Sequence, residues 1–201
     1  MKLVTNPQYA HFVAELRRTK RRFSKWNGIA FRAAHLEFIR VVKLLDGKGS
    51  FKFGGHWSAA GTFLAVNLSL TQDAALGESN SHFTYYKLPL ADLRPQAIVG
   101  VRLRLEKVID LTHPKGLGKQ PWVHLDELLA EDWRKINDSG HESQSQAFGR
   151  AAHDAGAEGI LAPSARMSDG VNLVYFPESV LGPGKAEILG RDELERWIRK
   201  R

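Results

Sequence analysis

Residues 99–112 read VGVRLRLEKVIDLT, in which Val99, Val101, Leu103 and Leu105 alternate with Gly100, Arg102, Arg104 and Glu106. A period of two puts the apolar side chains on one face of a strand and the charged ones on the other. Such a strand needs a covering layer on its apolar face, so the chain must build a sheet with a core on one side. Four shorter segments read as further strands: IAFRA after Gly28, Phe63 to Val66, GILAP, and VNLVYF.

Helical spacing appears between them. Tyr9, Phe12, Val13 and Leu16 share one face, with Asn6 placed to cap and Pro7 at the first helical position. A helix is expected from Thr71, carrying Glu78 near its end. Leu125, Leu128, Leu129 and Ile136 keep a helical period, as do Ala147, Phe148, Ala151, Ala152 and Ala155 up to a stop at Gly156. A last helix runs from about Asp192, with Leu194, Trp197 and Ile198 on one side. Residues 35–52 fit either pattern, and Gly47 and Gly49 mark a loop there. Strands and helices intermix without regular alternation, so the expected class is α+β, a single mixed domain.

A chain of 201 residues with 43% hydrophobic content can bury one ordinary core. No segment approaches the ~20 apolar residues a membrane span requires. The polar start MKLVTNPQYAHF, interrupted by Pro7, is unlike a secretory signal, and a cytoplasmic protein is expected. The absence of cysteine excludes disulfides and thiolate chemistry. The formal net charge of +7 is concentrated partly in Arg17, Arg18, Lys20, Arg21 and Arg22 and partly in Arg196, Arg199, Lys200 and Arg201. Such clusters attract polyanions, but they are commonly solvated helix faces, and no nucleic-acid motif accompanies them.

Several motifs fail on inspection. LDGKGS lacks the upstream glycine and the Ser or Thr after lysine that a phosphate loop requires. No two histidines have the spacing that places two metal ligands on one helix face, so no metal is expected. Ser164 lies in APSAR rather than in a nucleophile elbow.

The stretch FGGHWSAAGTFLAV at 53–66 places Gly54, Gly55, His56, Trp57 and Gly61 before an apolar run. Glycine permits tight turns and also lets backbone approach a ligand closely; the first reading packs Trp57 in the core, the second turns the loop toward a site. Three polar residues sit where packing explains them poorly. Arg32 lies within IAFRA, Glu78 follows AALG, and Ser164 follows GILAP. Taken singly, Arg32 can snorkel, Glu78 can be a surface residue and Ser164 can open a turn.

Together they resemble the RES domain, whose name records Arg, Glu and Ser. The resemblance rests on FRA at 31–33, GGHWSAAGTFLAV, AALGE at 74–78, VIDLT at 108–112, and AAHDAGAEGILAPSAR followed by GVNLVYF. It covers roughly 29–190 as the domain, leaving 1–28 as an appended basic helical extension and 191–201 as a basic C-terminal helix. The resemblance implies a fold like that of the ADP-ribosyltransferases and a toxin neutralised by a cognate antitoxin. It implies NAD as substrate, consumed by hydrolysis or phosphorolysis with inorganic phosphate, or used for ADP-ribosyl transfer to a protein or nucleotide. A homodimer is a further possible partner; contact with nucleic acid would be indirect, through an antitoxin, and no membrane is implied.

In this reading Arg32, Glu78 and Ser164 are the catalytic residues, and Gly55, His56, Trp57 and Phe63 bind the dinucleotide. Glu78 would stabilise the positive charge that develops on the ribose as the nicotinamide bond breaks. Arg32 would hold a phosphate, and Ser164 would position ribose or carboxylate. The chain departs from the family pattern at His56, Ser58 and Phe63, where Arg, Asn and Tyr are usual, and the step from Phe63 to Glu78 is long. Those departures also fit a binding module that kept the fold and lost the chemistry.

Overall fold

The computed structural model describes residues 2–36, 39–89, 93–165, 167–180, 182 and 185–200, without the side chains of Val42 and His82. In chain order the described helices are α1 (Tyr9–Arg18), α2 (Lys48–Phe53), α3 (Gln72–Ser79), α4 (Ser81–Tyr85), α5 (Leu125–Ala130), α6 (Trp133–Asp138), α7 (Gln144–Asp154) and α8 (Arg191–Arg199). The strands are β1 (Ser24–His35), β2 (Val66–Ser69), β3 (Gln96–Asp110), β4 (Gly159–Pro163), β5 (Val171–Tyr175) and β6 (Ala186–Ile188).

The alternating segment forms the centre of the long β3, with Val99, Val101, Leu103 and Leu105 all buried. Its length lets it pair with several neighbours: antiparallel with β1 from Gln96 to Val108, antiparallel with β6 at Val101–Leu103, and parallel with β4 at Val108–Asp110. The order β1-β2-β5-β4-β3-β6, with β1 also bonded to β3, closes the strands β1, β2, β5, β4 and β3 into a ring. All five contribute to one apolar cluster: Ala30, Leu68, Leu103, Leu161 and Leu173 each come from a different strand. Closure removes the exposed edges that an open sheet of these strands would present.

The other side of the sheet is covered by helices. Phe12 and Leu16 of α1, Leu128 of α5 and Phe148 of α7 join Ile109, Ile160, Val174 and Phe176 in a second cluster. Neighbours such as Ile160 and Leu161 therefore enter different clusters, which is why GILAP reads as a continuous apolar run. The single mixed domain expected from the sequence is the one observed.

The N-terminal helix is tightly held by the rest of the fold. Phe12 meets Phe148 edge-on at 5.3 Å, and the Arg150 guanidinium lies 3.5 Å from the Tyr9 ring centroid while bonding Glu142 at 2.7 and 2.8 Å. A helix outside the expected domain in sequence thus supplies part of its core. Arg201, at the end of the basic C-terminal cluster, lies outside the described residues.

Local details correct several expectations. Helix α1 starts at Tyr9, and Asn6 with Pro7 forms the preceding turn, where the Asn6 side chain accepts from the Gln8 amide. Gly49 lies within α2, with the break instead at Gly47, whose φ of 69° is left-handed. The ladder begins at Val66, the first residue to find a partner, Tyr175, so Phe63–Ala65 is buried chain without strand pairing. The period through Leu125–Ile136 is shared by two helices, because Asp132 caps a new one by accepting from the Lys135 amide.

The glycine-rich loop is pressed against α7. A Cβ on Gly149 would stand 1.8 Å from the Trp57 carbonyl oxygen, so only glycine fits. Gly149→Ala gains up to about 1 kcal/mol of helix propensity, yet forcing the loop away should cost more, about 1–3 kcal/mol. The expected net result is a lower denaturation midpoint in urea with an unchanged slope; equal or greater stability would show that the contact is soft.

Candidate active site

The ring of strands places two polar residues, Ser69 and Asn172, side by side between the segments that carry Arg32 and Ser164. Phe31 pairs with Ser69, Ser69 with Asn172, and Asn172 with Ala162, two residues before Ser164. Arg32 follows Phe31 on β1. Helix α3, capped by the Thr71 hydroxyl accepting from the Ala74 amide at 3.2 Å, delivers Glu78 to this row.

The Glu78 carboxylate is fixed by two neutral donors. Its Oε1 accepts from Ser164 Oγ at 2.8 Å and from Asn172 Nδ2 at 2.7 Å. Asn172 is itself oriented, since its Oδ1 accepts from Ser69 Oγ at 2.8 Å. Oε2 accepts no bond among the described residues, leaving one carboxylate oxygen held and the other available.

Ser164 plays two parts at once. Its Oγ accepts from the Met167 amide at 3.2 Å, as in an ordinary turn, while its proton goes to Glu78. The turn is closed by the Ser164 amide donating to Gly170 O at 2.7 Å; a Cβ at Gly170 would meet Ser164 and Met167 side chains at 3.0 Å. Arg166, within the APSAR segment, lies outside the described residues.

Arg32 shares its strand face with Ala30, which is fully buried, and the guanidinium is carried inward with it. Its Nη1 is buried and makes no hydrogen bond among the described residues. Burial pushes the guanidinium pKa down, and the charge of Asp46 only partly offsets this. A buried, unsatisfied cation is costly, and such a group is commonly explained by a function that needs it.

These groups open into a cavity of about 950 Å³, large for a small-molecule site. Arg32, Glu78, Ser69 and Asn172 line it, with Gly55, His56 and Trp57 from the loop. That loop makes a tight turn in which the Gly55 amide donates to Ser58 O at 2.7 Å, and Gln146 Nε2 donates to Gly55 O at 3.0 Å. Trp57 lines the cavity, yet it is 5% exposed and its ring packs edge-on against Phe148 at 5.9 Å.

Phe63 is a correction. It is 3% exposed, stacked on His153 at 4.8 Å and edge-on to Phe176 at 5.2 Å, on the helical face of the sheet rather than in the cavity. It is core. Asn172 and Ser69 are the residues that sequence reasoning missed. The signal existed, since each is a polar residue inside an apolar strand, as Arg32 is.

Residues 29–193 match the family model described as the RES domain. No curated protein matches the sequence. Among solved structures, the chain is similar to one described as "Crystal structure of the M.tuberculosis MbcT-MbcA toxin-antitoxin complex", at 21% identity and a TM-score of 0.66, over 98% of this chain and 99% of that one. At that identity the likeness is one of fold.

Arg32→Met separates function from packing. Replacing an unpaired buried cation by an apolar chain of similar length should leave stability unchanged or raise it by about 1–4 kcal/mol, seen as an equal or higher Tm. Binding of inorganic pyrophosphate should be lost. A large fall in Tm with anion binding intact would make Arg32 a structural residue.

Proposed function

The chain belongs to the RES domain family, and on that premise we propose that it is the toxin of a toxin-antitoxin pair and acts by consuming NAD. The observation that carries the reading is a carboxylate held at one oxygen by Ser164 and Asn172, in a cavity that also presents Arg32, whose Nη1 has no hydrogen bond among the described residues.

These groups suit cleavage of the bond between nicotinamide and ribose. The bond's electron pair leaves with nicotinamide, which departs neutral, and the anomeric carbon of that ribose, C1″ in the product, becomes oxocarbenium-like. Glu78 faces that developing charge, and its unengaged Oε2 can accept a ribose hydroxyl or stabilise the cation directly. Ser164 and Asn172 keep the carboxylate in place, so little reorganisation is needed as charge develops. Arg32 binds the diphosphate, for which a planar, permanently charged donor is suited. Water or inorganic phosphate then adds to C1″, a proton is released to solvent or to Glu78, and the products are nicotinamide with ADP-ribose or its 1″-phosphate. No step calls for a metal.

Glu78→Gln keeps the shape and can still accept from Ser164, but it removes the negative charge. NAD loss, followed by chromatography of products with and without phosphate, should fall by at least about a hundredfold, the scale on which a single electrostatic stabiliser acts. Dependence on phosphate would separate phosphorolysis from hydrolysis. Label from NAD appearing on a protein or nucleotide would assign the transferase activity instead. Binding without turnover in the wild type would mark a protein that kept the site and lost the reaction.

A further inference from the structure

Away from Glu78, the same cavity is walled by Tyr85 of α4 and by Asp132, Trp133 and Arg134 around the start of α6. The Arg134 guanidinium lies 4.3 Å from the Trp133 ring centroid and 4.9 Å from that of Tyr85. The Tyr85 hydroxyl donates to the Asp132 carboxylate, at 2.8 and 3.0 Å from its two oxygens. The Trp133 ring reaches the glycine-rich loop, where a Cβ on Gly54 would stand 3.7 Å from Cζ3.

Core packing does not account for this wall. Neither Tyr85 nor Trp133 belongs to any of the apolar clusters, and both remain partly exposed toward the cavity. Two aromatic rings beside a planar cation suit a nucleobase followed by a phosphate: the rings offer stacking faces and the guanidinium offers a fork. The cavity volume also exceeds what a nicotinamide riboside at Glu78 would fill.

We infer that Trp133, Arg134 and Tyr85 form a purine-nucleotide subsite. Trp133 stacks the base, Arg134 pairs with the nearer phosphate, and the Tyr85 to Asp132 hydrogen bond is a positioning contact that holds α4 against α6. The inference rests on the proposal that the cavity takes NAD, and it assigns the adenosine half of that molecule to this wall.

The test uses three probes by calorimetry: AMP on the wild type, and NAD and nicotinamide mononucleotide on Glu78→Gln, each with and without Trp133→Ala or Arg134→Gln. Loss of base stacking should weaken AMP and NAD roughly tenfold to a hundredfold and leave nicotinamide mononucleotide within about twofold. Trp133→Phe, which keeps a stacking face, should restore most of the affinity at an unchanged Tm. Unchanged AMP and NAD binding, or equal weakening of all three probes, would overturn the subsite. If AMP binds in a Trp133-dependent way while NAD and the mononucleotide do not bind, the NAD reading fails and the purine subsite stands. Absence of binding by all three overturns both.

Discussion

The ladder that joins β1 to both β2 and β3 is the constraint on which the rest of this structure depends. Closing the ring forces β2 and β5 between β1 and β4, and so brings four sequence-distant segments into register. Phe31, Ser69, Asn172 and Ala162 then lie across neighbouring strands. The candidate site is built on the ends of that row, with Arg32 one residue beyond one end and Ser164 two beyond the other. Backbone hydrogen bonds set these spacings, so the site inherits the rigidity of the sheet.

What the sheet supplies in position it costs in electrostatics. Arg32 is carried onto a buried face and left without a hydrogen-bond partner among the described residues, while Glu78 is held by neutral donors instead of a cation. Joining the two in a salt bridge would satisfy both and remove the site. Keeping a guanidinium and a carboxylate separately available in one cavity is the arrangement that the proposed substrate, with its negative phosphates and cationic ring, would call for. The fold carries that cost through two apolar clusters, one inside the strand ring and one beneath α1, α5 and α7.

The glycine-rich loop shows how local and distant requirements combine. Its tight turn between Gly55 and Ser58 is a local property, but its location is set by α7, where Gly149 admits the Trp57 carbonyl and Gln146 bonds the Gly55 carbonyl. Nothing within residues 53–66 foretells that contact. The same holds for the wall on α4 and α6: SHFTY and WRKIND are unremarkable segments until the Tyr85 hydroxyl meets Asp132 across them.

Much of the fold was legible because it depends on short-range periodicity. The alternation in β3, the apolar runs of β4 and β5, and the helical faces of α1 and α7 are local patterns that burial then rewards. Arg32, Glu78 and Ser164 could be picked out as polar residues in apolar settings, and their shared order pointed to the family. Asn172 and Ser69 carry the same mark, as polar residues within apolar strands, while the ring of Phe63, despite its place after the glycine-rich loop, belongs to the core. The sequence by itself determined which segments could be strands or helices and which side chains resisted a packing explanation. Only the tertiary structure decided that Glu78 meets Ser164 and Asn172, that Arg32 Nη1 is buried without a hydrogen bond among the described residues, and that Phe63 faces α7, because those outcomes depend on strand order and register, which bring together residues whose separation along the chain carries no local signal.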